Sequence, residues 1–481
     1  MTLNDKYLQA LNALDGDAEG RLAAWDYLTH STNIYRGNVV ACDYFPKLFD
    51  KRLRDRLVQV ADTTYGILVK IMDRYLADPS YRAVFDFDPR LQELILADRG
   101  YTSYVPFCRI DLFLDEETLS ARYCEFNADG SSGMNENREA ENAICCGRTF
   151  AAFAETHTLT SMNPVMFSGW VDEFLRIYAT RADAVERPHV VIADYLENSV
   201  LEEFKLYRAL FKERGIPCSI FDVRNLAFDG ETLTGHDPYA GLGHENLPIN
   251  AIWRRAVAND VLGHWDESTA FLDAFRTGRV ALIGSFLGQL MHDKQIFRVM
   301  RDERTWSFLT PAEIAFINEA IPRTEYLSRD VVDIDAIKAN PAKWIIKPTD
   351  GYGCKDVFPG PAYSPEEWAR IVDERADAAS GIPFLVQEFI TPYKTPSIPM
   401  RGNPGDEVAP VQSYNNLTGL YLIDGRLAGI FSRIGPHPLI LGRMGGLTAP
   451  SFWVDCESPF APVPARTDEA TGQSKEGTQI E

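Results

Sequence analysis

The sequence predicts an α/β protein with additional α+β elements, and three observations indicate this class. Residues 188–284 alternate buried strand patterns with helical patterns, which is typical of a parallel sheet covered by helices. Residues 104–127 and 415–434 each contain two strand patterns joined by a short polar turn, and they predict antiparallel hairpins. The segment 1–103 is mainly helical in pattern.

The composition restricts the class of function. The chain has 481 residues, 45% hydrophobic and 24% charged, so it can form a large core. Its net charge of −21 opposes non-specific binding to nucleic acid or anionic lipid, and neither is expected as a partner. A local basic pocket for a small anion remains compatible with that charge. The polar N-terminal segment and the lack of an apolar stretch of about 20 residues predict a cytoplasmic protein without a membrane span.

The helical pattern of the first segment is clearest at residues 51–76. Apolar side chains recur there at helical spacing, which predicts an amphipathic helix that supports a larger core; they are Leu53, Leu57, Val60, Ile67 and Ile71. The first hairpin follows, as YVPFCRIDLFLD and LSARYCEFN around the polar DEET, and a long helix is expected over 136–155.

The middle of the chain predicts a βαβ arrangement. HVVIADY is a buried strand pattern, residues 201–214 are helical, and PCSIFDV is the next strand. Strands in NAIWRRAV and RVALIG continue the alternation. The first strand is followed by DYLENS instead of a GxGxxG turn, so a Rossmann NAD site is excluded.

The last part of the chain returns to mixed elements. Helices are expected over 289–304 and 365–378, and strands in AKWIIKP and FLVQEFI. The final hairpin turns at Asp424–Gly425, a strong turn dipeptide. The polar residues beyond 464 predict a flexible tail.

The first hairpin carries side chains suited to a metal ion. The period of two places Arg109 and Asp111 on one face of the first strand, and Glu125 and Asn127 on one face of the second. If Arg109 lies opposite Glu125, the two faces coincide. Carboxylate and amide oxygens are ligands that Mg²⁺ prefers, usually together with water and nucleotide phosphates. The alternative is a solvated, salt-bridged strand face.

A second group of residues is suited to phosphate. In WIIKPTDGYGCKDV a buried strand ends at Lys347 and enters a loop with Gly351 and Gly353, whose backbone N–H groups can approach phosphate oxygens. The lysine precedes the glycines and GxxxxGK[ST] is absent, so this is not a P-loop. An ordinary turn beside an exposed lysine is the alternative.

A third group lies in LVQEFI, where Gln387 and Glu388 interrupt an apolar strand. Polar groups in such a position need hydrogen-bonding partners, and an adenine edge and a ribose would supply them. A glutamate on an edge strand is the alternative. Three histidines, His264, His292 and His437, stand at no catalytic or metal spacing and are expected to be structural or on the surface.

Together these groups resemble the ATP-grasp ligases, in which a lysine and glycine-loop strand, a polar hinge strand and a metal-binding Glu-x-Asn strand surround ATP. Here the metal strands RIDLFLD and CEFNAD come first, and KPTDGYG and QEF come last. This order resembles the circularly permuted proteins of the glutathionylspermidine synthase type. There Arg-x-Asp precedes Glu-x-Asn-Ala-Asp, as at Arg109–Asp111 and Glu125–Asp129 here. The resemblance spans about residues 104–436.

The resemblance implies roles for individual residues. Asp111, Glu125 and Asn127 would be ligands of Mg²⁺, and Arg109 would clamp the transferred phosphoryl group. The residues implied to bind ATP are Lys294, Lys347, Gly351, Gly353, Gln387 and Glu388. The residues implied to lie near the acid substrate are Asp129, Ser131 and Ser132. Arg433, in GIFSRIG, corresponds to a late arginine that meets the acyl phosphate.

The implied function is an ATP-dependent carboxylate–amine ligase that works through an acyl phosphate. Its partners would be a small carboxylic acid and an amine, and homo-oligomerisation stays open. Alternatives are a phosphotransferase acting on a hydroxyl and a non-catalytic ATP-binding protein, the latter because Cys354 and Asp356 replace glycines that many relatives have. No amidase unit precedes the hairpin, so neither glutathione nor spermidine follows as substrate.

The resemblance also implies a division of the chain. The segments are a helical one at 1–103, the metal hairpin and helix at 104–186, a pre-ATP-grasp-like α/β domain at 187–285, the ATP-grasp lid, glycine loop and last hairpin at 286–463, and the tail at 464–481. The parallel-sheet domain is then inserted in a circularly permuted ATP-grasp fold.

Overall fold

The structure, a computed structural model, describes residues 1–236, 247–351, 353–376, 383–400 and 411–460. The α-helices of these residues are α1 Leu3–Ala13, α2 Ala18–Thr29, α3 Lys51–Ala77, α4 Pro89–Leu96, α5 Met134–Ile144, α6 Arg148–Ala154, α7 Trp170–Tyr178, α8 Leu201–Glu213, α9 Ala258–Gly263, α10 Thr269–Arg276, α11 Gln289–His292, α12 Ile296–Val299, α13 Glu303–Trp306, α14 Pro311–Ala320, α15 Ile334–Lys338 and α16 Pro365–Ala376. The predicted tail lies outside the described residues.

The β-strands of the same residues are β1 Ile34–Tyr35, β2 Asn38–Val39, β3 Lys47–Phe49, β4 Phe107–Leu114, β5 Ala121–Asn127, β6 Leu159–Ser161, β7 Val190–Asp194, β8 Cys218–Asp222, β9 Leu226–Phe228, β10 Leu233–Gly235, β11 Ala251–Arg254, β12 Ala281–Ile283, β13 Thr324–Tyr326, β14 Trp344–Pro348, β15 Phe358–Pro359, β16 Phe384–Glu388, β17 Lys394–Ser397, β18 Gln412–Ile423, β19 Arg426–Gly435, β20 Leu447–Ala449 and β21 Ser451–Val454. The structure is therefore a mixed α/β fold with several sheets, as the sequence predicts.

The two predicted hairpins share one antiparallel sheet. Its strand order is β20-β19-β18-β4-β5, and β17 also pairs with β18. The final hairpin turns at Asp424 and Gly425, whose φ angles of 46° and 79° fit the predicted turn. The hairpins meet where β18 pairs with β4, in a register that places Gly419 opposite Asp111 and Tyr421 opposite Arg109. The first and the last hairpin thus form one continuous antiparallel sheet.

The register of the first hairpin differs from the one assumed above. Arg109 lies opposite Asn127 and Asp111 opposite Glu125, and the register shifts after Asp111. The assumed pairing of Arg109 with Glu125 is wrong: the strands are displaced from it by two residues, and the β-bulge beyond Asp111 accounts for one of them. The four side chains still share one face, since directly opposed residues of an antiparallel pair point the same way.

The βαβ prediction corresponds to a parallel sheet with the order β12-β11-β7-β8. Each neighbouring pair runs parallel, and every residue of β8 and β11 is buried. Strands covered on both faces are mostly apolar, as in the run Val190–Ala193 of β7. A smaller antiparallel sheet has the order β13-β16-β14-β15, so the strand with Gln387 and Glu388 is internal and the edge-strand interpretation of Glu388 is wrong.

Helix α3 connects these layers. Asp50 caps its first turn by accepting a hydrogen bond from the N–H of Leu53, and the apolar residues that predicted the helix are buried. One apolar cluster contains Leu57 of α3, Ile110 of β4 and Ile252 of β11. The hairpin sheet and the parallel sheet are therefore joined through a shared core.

Two helix predictions need correction. The segment 136–155 holds two helices, α5 and α6, which are separated at Gly147, an extended residue with φ −88° and ψ 139°. The segment 289–304 forms the short helices α11, α12 and α13, because Asp293 and Asp302 adopt extended conformations between them. The end of the predicted helix 365–378 lies outside the described residues. Among the described helices, none combines the length and the apolar character needed to cross a bilayer.

Candidate functional site

The candidate site lies on the shared face of β4 and β5. The Arg109 guanidinium donates two hydrogen bonds to the Asp111 carboxylate, at 2.7 Å to Oδ1 and 2.8 Å to Oδ2. Asn127 Nδ2 donates a third, at 3.0 Å to Oδ2. Asp111 is 1% exposed, and a carboxylate so deeply buried needs such partners. The salt bridge considered as the alternative exists, but it is buried and does not lie on a solvated strand face.

Gly419 of β18 makes room for this ion pair. A Cβ atom at residue 419 would lie 2.7 Å from Asp111 Oδ1 and 2.8 Å from Arg109 Cδ, closer than normal contacts. Because Gly419 has no side chain, the Arg109–Asp111 pair can occupy the space beside β18. The sequence gives little sign of this role, because Gly419 comes within range of Asp111 only through the pairing of β18 with β4.

Two buried lysines come to this face from distant parts of the chain. Lys347 of β14 is 7% exposed. Its Nζ donates to the carbonyl of Cys124 on β5 at 3.1 Å and to Oε1 of Gln387 at 2.9 Å. Lys294 follows α11, is 6% exposed and donates from Nζ to the carbonyl of Gly351 at 3.0 Å. The ammonium group of Lys347 is thus held beside β5, and that of Lys294 is held at the glycine loop.

The pKa of Glu125 reflects the positive charges around it. Burial alone would raise the pKa of the Glu125 carboxyl. The nearby charges of Lys294, Lys347 and Arg109 lower it by more than burial raises it, so the pKa lies below its usual value. Burial raises the pKa of Asp111 against the opposing charge of Arg109. The Arg109 guanidinium stays charged, because Asp111 raises its pKa against the effect of burial. Glu125 is accordingly the anionic carboxylate that faces the lysines.

The donor atoms fit a magnesium ion. Among the described residues nothing donates a hydrogen bond to the Glu125 carboxylate, whereas both Asp111 oxygens are already engaged by Arg109. Mg²⁺ typically takes one or two protein carboxylates and completes its shell with water and phosphate. Glu125 with an oxygen of Asp111 or Asn127 meets that requirement.

The glycine loop begins directly after β14. Gly351 and Gly353 have positive φ angles of 147° and 66°, which glycine adopts without strain. Cys354 and Asp356 also have positive φ, at 52° and 55°, and their side chains strain that conformation. The loop therefore follows a backbone path that favours glycine at two positions where the sequence has cysteine and aspartate.

The two residues predicted at the adenine hinge have protein partners. Gln387 is buried, accepts from Lys347 and donates from Nε2 to Oγ1 of Thr324 at 2.9 Å. Glu388 accepts a hydrogen bond from Arg122 of β5 at 3.2 Å. The Arg122–Glu388 contact joins β16 of the small sheet to the first hairpin, and the role of both residues toward adenine remains a prediction.

The loop after β5 is held mainly by its own protein contacts. Ser131 Oγ donates to the carbonyl of Asn127 at 2.6 Å, and the carbonyl of Ser132 accepts from Arg109 at 2.7 Å. The Asp129 carboxylate is buried, is paired with Arg254 of β11 and accepts from a backbone N–H at the start of α9. Asp129 thus joins the hairpin to the parallel sheet, and a direct contact of these three residues with a substrate remains a prediction.

Arg433 of β19 lies at the other side of the face. Its Nη2 donates to Oε2 of Glu136 at 3.4 Å, and its charge lowers the pKa of Asp111 and of the Cys354 thiol, although burial raises both. The arginine is therefore within electrostatic range of the metal-type residues. The structure thus brings together Arg109, Asp111, Glu125, Lys294 and Lys347, with Arg433 beside them.

The comparisons concern the fold. No family model and no curated protein matches the sequence. A glutathione synthetase-like effector from Globodera pallida, solved in the apo form, has a TM-score of 0.54 at 10% identity, over 90% of this chain and 96% of its own.

Two further solved structures are similar at lower scores. A protein designated a gamma-glutamylcysteine synthetase, from Methylobacillus flagellatus KT, has a TM-score of 0.42 at 10% identity over 82% of this chain and 87% of its own. The D-cycloserine synthetase DcsG has a TM-score of 0.25 at 18% identity, over 42% of this chain and 59% of its own. The chain shares the mixed α/β fold of the Globodera effector over most of its length.

Proposed function

We propose that this protein is an ATP-dependent ligase that joins a small carboxylic acid to an amine through an acyl phosphate. One observation supports the proposal most strongly: Nζ of Lys347 donates at 3.1 Å to the carbonyl of Cys124, the residue before Glu125 and more than 200 positions earlier in the chain. The charges of Lys294 and Lys347 both act on the Glu125 carboxylate. A carboxylate with two buried lysines nearby is suited to a Mg²⁺–triphosphate, in which the metal would bind the carboxylate and the phosphates would bind the lysines.

The chain's residues would divide the work as follows. Lys294 and Lys347 bind the phosphates, and Glu125 holds the metal together with Asp111 or Asn127. When bound, Mg²⁺ neutralises charge on the phosphates that are transferred and released. Each fixed positive group of this kind is worth about 3 kcal/mol to a transition state that develops negative charge.

The reaction has two balanced steps. A carboxylate oxygen of the acid attacks the γ-phosphorus, the bond from that phosphorus to the β–γ bridging oxygen breaks, and ADP leaves. The amine nitrogen then attacks the acyl carbon, loses a proton and displaces inorganic phosphate. We expect Arg109, which Asp111 and the Ser132 carbonyl hold in position, to contact the transferred group. Arg433 would approach the same group from β19.

The chain order supports a circularly permuted arrangement of the glutathionylspermidine synthase type. The metal hairpin β4–β5 precedes the lysine strand β14 and the polar strand β16, and the last hairpin β18–β19 completes the metal sheet beside β4. We extend the proposal to the division at residues 104–186, 187–285 and 286–463, in which the parallel sheet interrupts the ATP-binding parts.

A non-catalytic nucleotide-binding protein is the second candidate. The strained φ angles of Cys354 and Asp356 favour it, because a less adaptable loop could bind nucleotide without turnover. Substrate-dependent ADP release separates the candidates: a ligase shows it, whereas a pure binder does not. A phosphotransferase also releases ADP but leaves the phosphate on its acceptor.

The proposal is tested by measuring ADP and inorganic phosphate across a matrix of amino acids, short peptides and polyamines with Mg·ATP. Hydroxylamine, which converts an acyl phosphate to a hydroxamate, reports the intermediate. Lys347→Met should abolish turnover, whereas Lys343→Met, one residue before β14, should not. Equal turnover of wild type and Lys347→Met would contradict the assigned role.

A further inference from the structure

The short helix α11 presents two polar side chains to the start of the glycine loop. Gln289 and His292 are three residues apart on that helix, so they lie on one side of it. Gln289 Nε2 donates to Oδ2 of Asp350 at 3.0 Å, and His292 Nε2 lies 3.5 Å from Oδ1. Both oxygens of the Asp350 carboxylate are therefore held by one turn of helix.

The same turn is joined to the loop by two further bonds. The backbone N–H of Lys294 donates to the carbonyl of Thr349 at 2.8 Å, and Lys294 Nζ donates to the carbonyl of Gly351 at 3.0 Å. Residues 349, 350 and 351 are thus each bonded to the segment 289–294. We call the three side chains of Gln289, His292 and Asp350 the Asp350 clasp.

Burial of these polar groups needs an explanation. Gln289 is fully buried and His292 is 5% exposed, yet Gln289 Oε1 and His292 Nδ1 have no hydrogen-bond partner among the described residues. Apolar side chains would fill that space with less loss of hydration. His292 also interacts with Asp129 and Glu125 through its charge. His292 therefore contacts the start of the glycine loop and is within electrostatic range of the first hairpin.

We propose that the Asp350 clasp positions Lys294 and the start of the glycine loop for nucleotide phosphates, with Gln289 and His292 as positioning residues. This inference rests on the proposed function, since it concerns the same nucleotide. The clasp fixes residues 349–351 against the segment that carries Lys294, so that the lysine and the loop backbone approach phosphate as one unit. Preorganisation of this kind lowers the ordering entropy lost on binding.

The test is direct binding of Mg²⁺ with a non-hydrolysable ATP analogue, measured by calorimetry on the full chain. His292→Ala should weaken binding at least about tenfold, the effect expected for loss of a buried hydrogen bond to a charged group. His292→Gln should restore most of the affinity, because its amide donor reaches the position of Nε2. His189→Ala is the matched control, since His189 is equally buried but bonds Ser219 in the parallel sheet, and it should bind like wild type.

The outcomes separate the two proposals. If wild type binds the analogue and a folded His292→Ala binds it equally well, the clasp is refuted and the nucleotide site stands. If wild type does not bind, both are refuted. Should His292→Ala fail to fold, Asp350→Ala at the less buried end of the clasp replaces it, and wild-type affinity in that variant refutes the clasp.

Discussion

Gly419→Ala tests whether turnover depends on the position of the Arg109–Asp111 ion pair. The new methyl carbon would lie 2.7 Å from Asp111 Oδ1 and 2.8 Å from Arg109 Cδ. Against a normal contact of about 3.5 Å, one or both side chains must withdraw by about 0.8 Å. A displacement near 1 Å at a reacting group lowers turnover about 100-fold. The φ angle of Gly419 is not positive, so the backbone itself accepts alanine.

The assay is ADP release under the conditions that give wild-type turnover, together with the thermal midpoint. We expect about 100-fold slower turnover and a loss of about 1–3 kcal/mol in unfolding free energy from overpacking. Gly66→Ala is the control, because Gly66 lies in α3 with nothing near its Cβ position, and it should be neutral or stabilising. Full turnover in a folded Gly419→Ala would refute the assignment of this pair.

Three further outcomes are expected. Glu125→Gln should raise the Mg²⁺ concentration needed for nucleotide binding at least about tenfold while the fold is kept; an unchanged Mg²⁺ titration contradicts the metal assignment. Burial raises the pKa of Glu141 to about 8 from its ordinary 4.5. The wild-type protein should therefore lose up to about 1.4 kcal/mol of unfolding free energy per pH unit as the pH rises between those values, and Glu141→Gln should lack that loss. The same change of melting temperature in both proteins between about pH 5 and about pH 8 counts against this prediction. Arg254→Met should destabilise the protein by about 3–5 kcal/mol in denaturant unfolding, because Asp129 is left buried and unpaired, and adding Asp129→Leu should recover part of that loss; no recovery argues against the pairing.

The local part of the site could be predicted from the sequence. The period of two placed Arg109, Asp111, Glu125 and Asn127 on common strand faces, and the structure keeps them together. The strand with Lys347 and the strand with Gln387 were also predicted, because each is a short apolar run with a polar end. These are properties of a few neighbouring residues.

The features of the site that the sequence does not predict depend on contacts between residues far apart in the chain. Gly419 matters only because β18 pairs with β4, and sequence periodicity does not set that register. The bulge after Asp111 changes which side chains oppose one another, and Asp129 is paired with Arg254, 125 positions away. His292 stands at no motif spacing because its carboxylate partner, Asp350, lies 58 positions later. Such contacts are decided by how the layers pack.

A structure of the protein with Mg²⁺ and a non-hydrolysable ATP analogue tests the proposed nucleotide site most directly. We expect the metal at Glu125, at about 2.1 Å from a carboxylate oxygen, with the phosphates between that ion and the Nζ atoms of Lys294 and Lys347. A nucleotide bound elsewhere, or triphosphate oxygens that contact neither lysine, would contradict it.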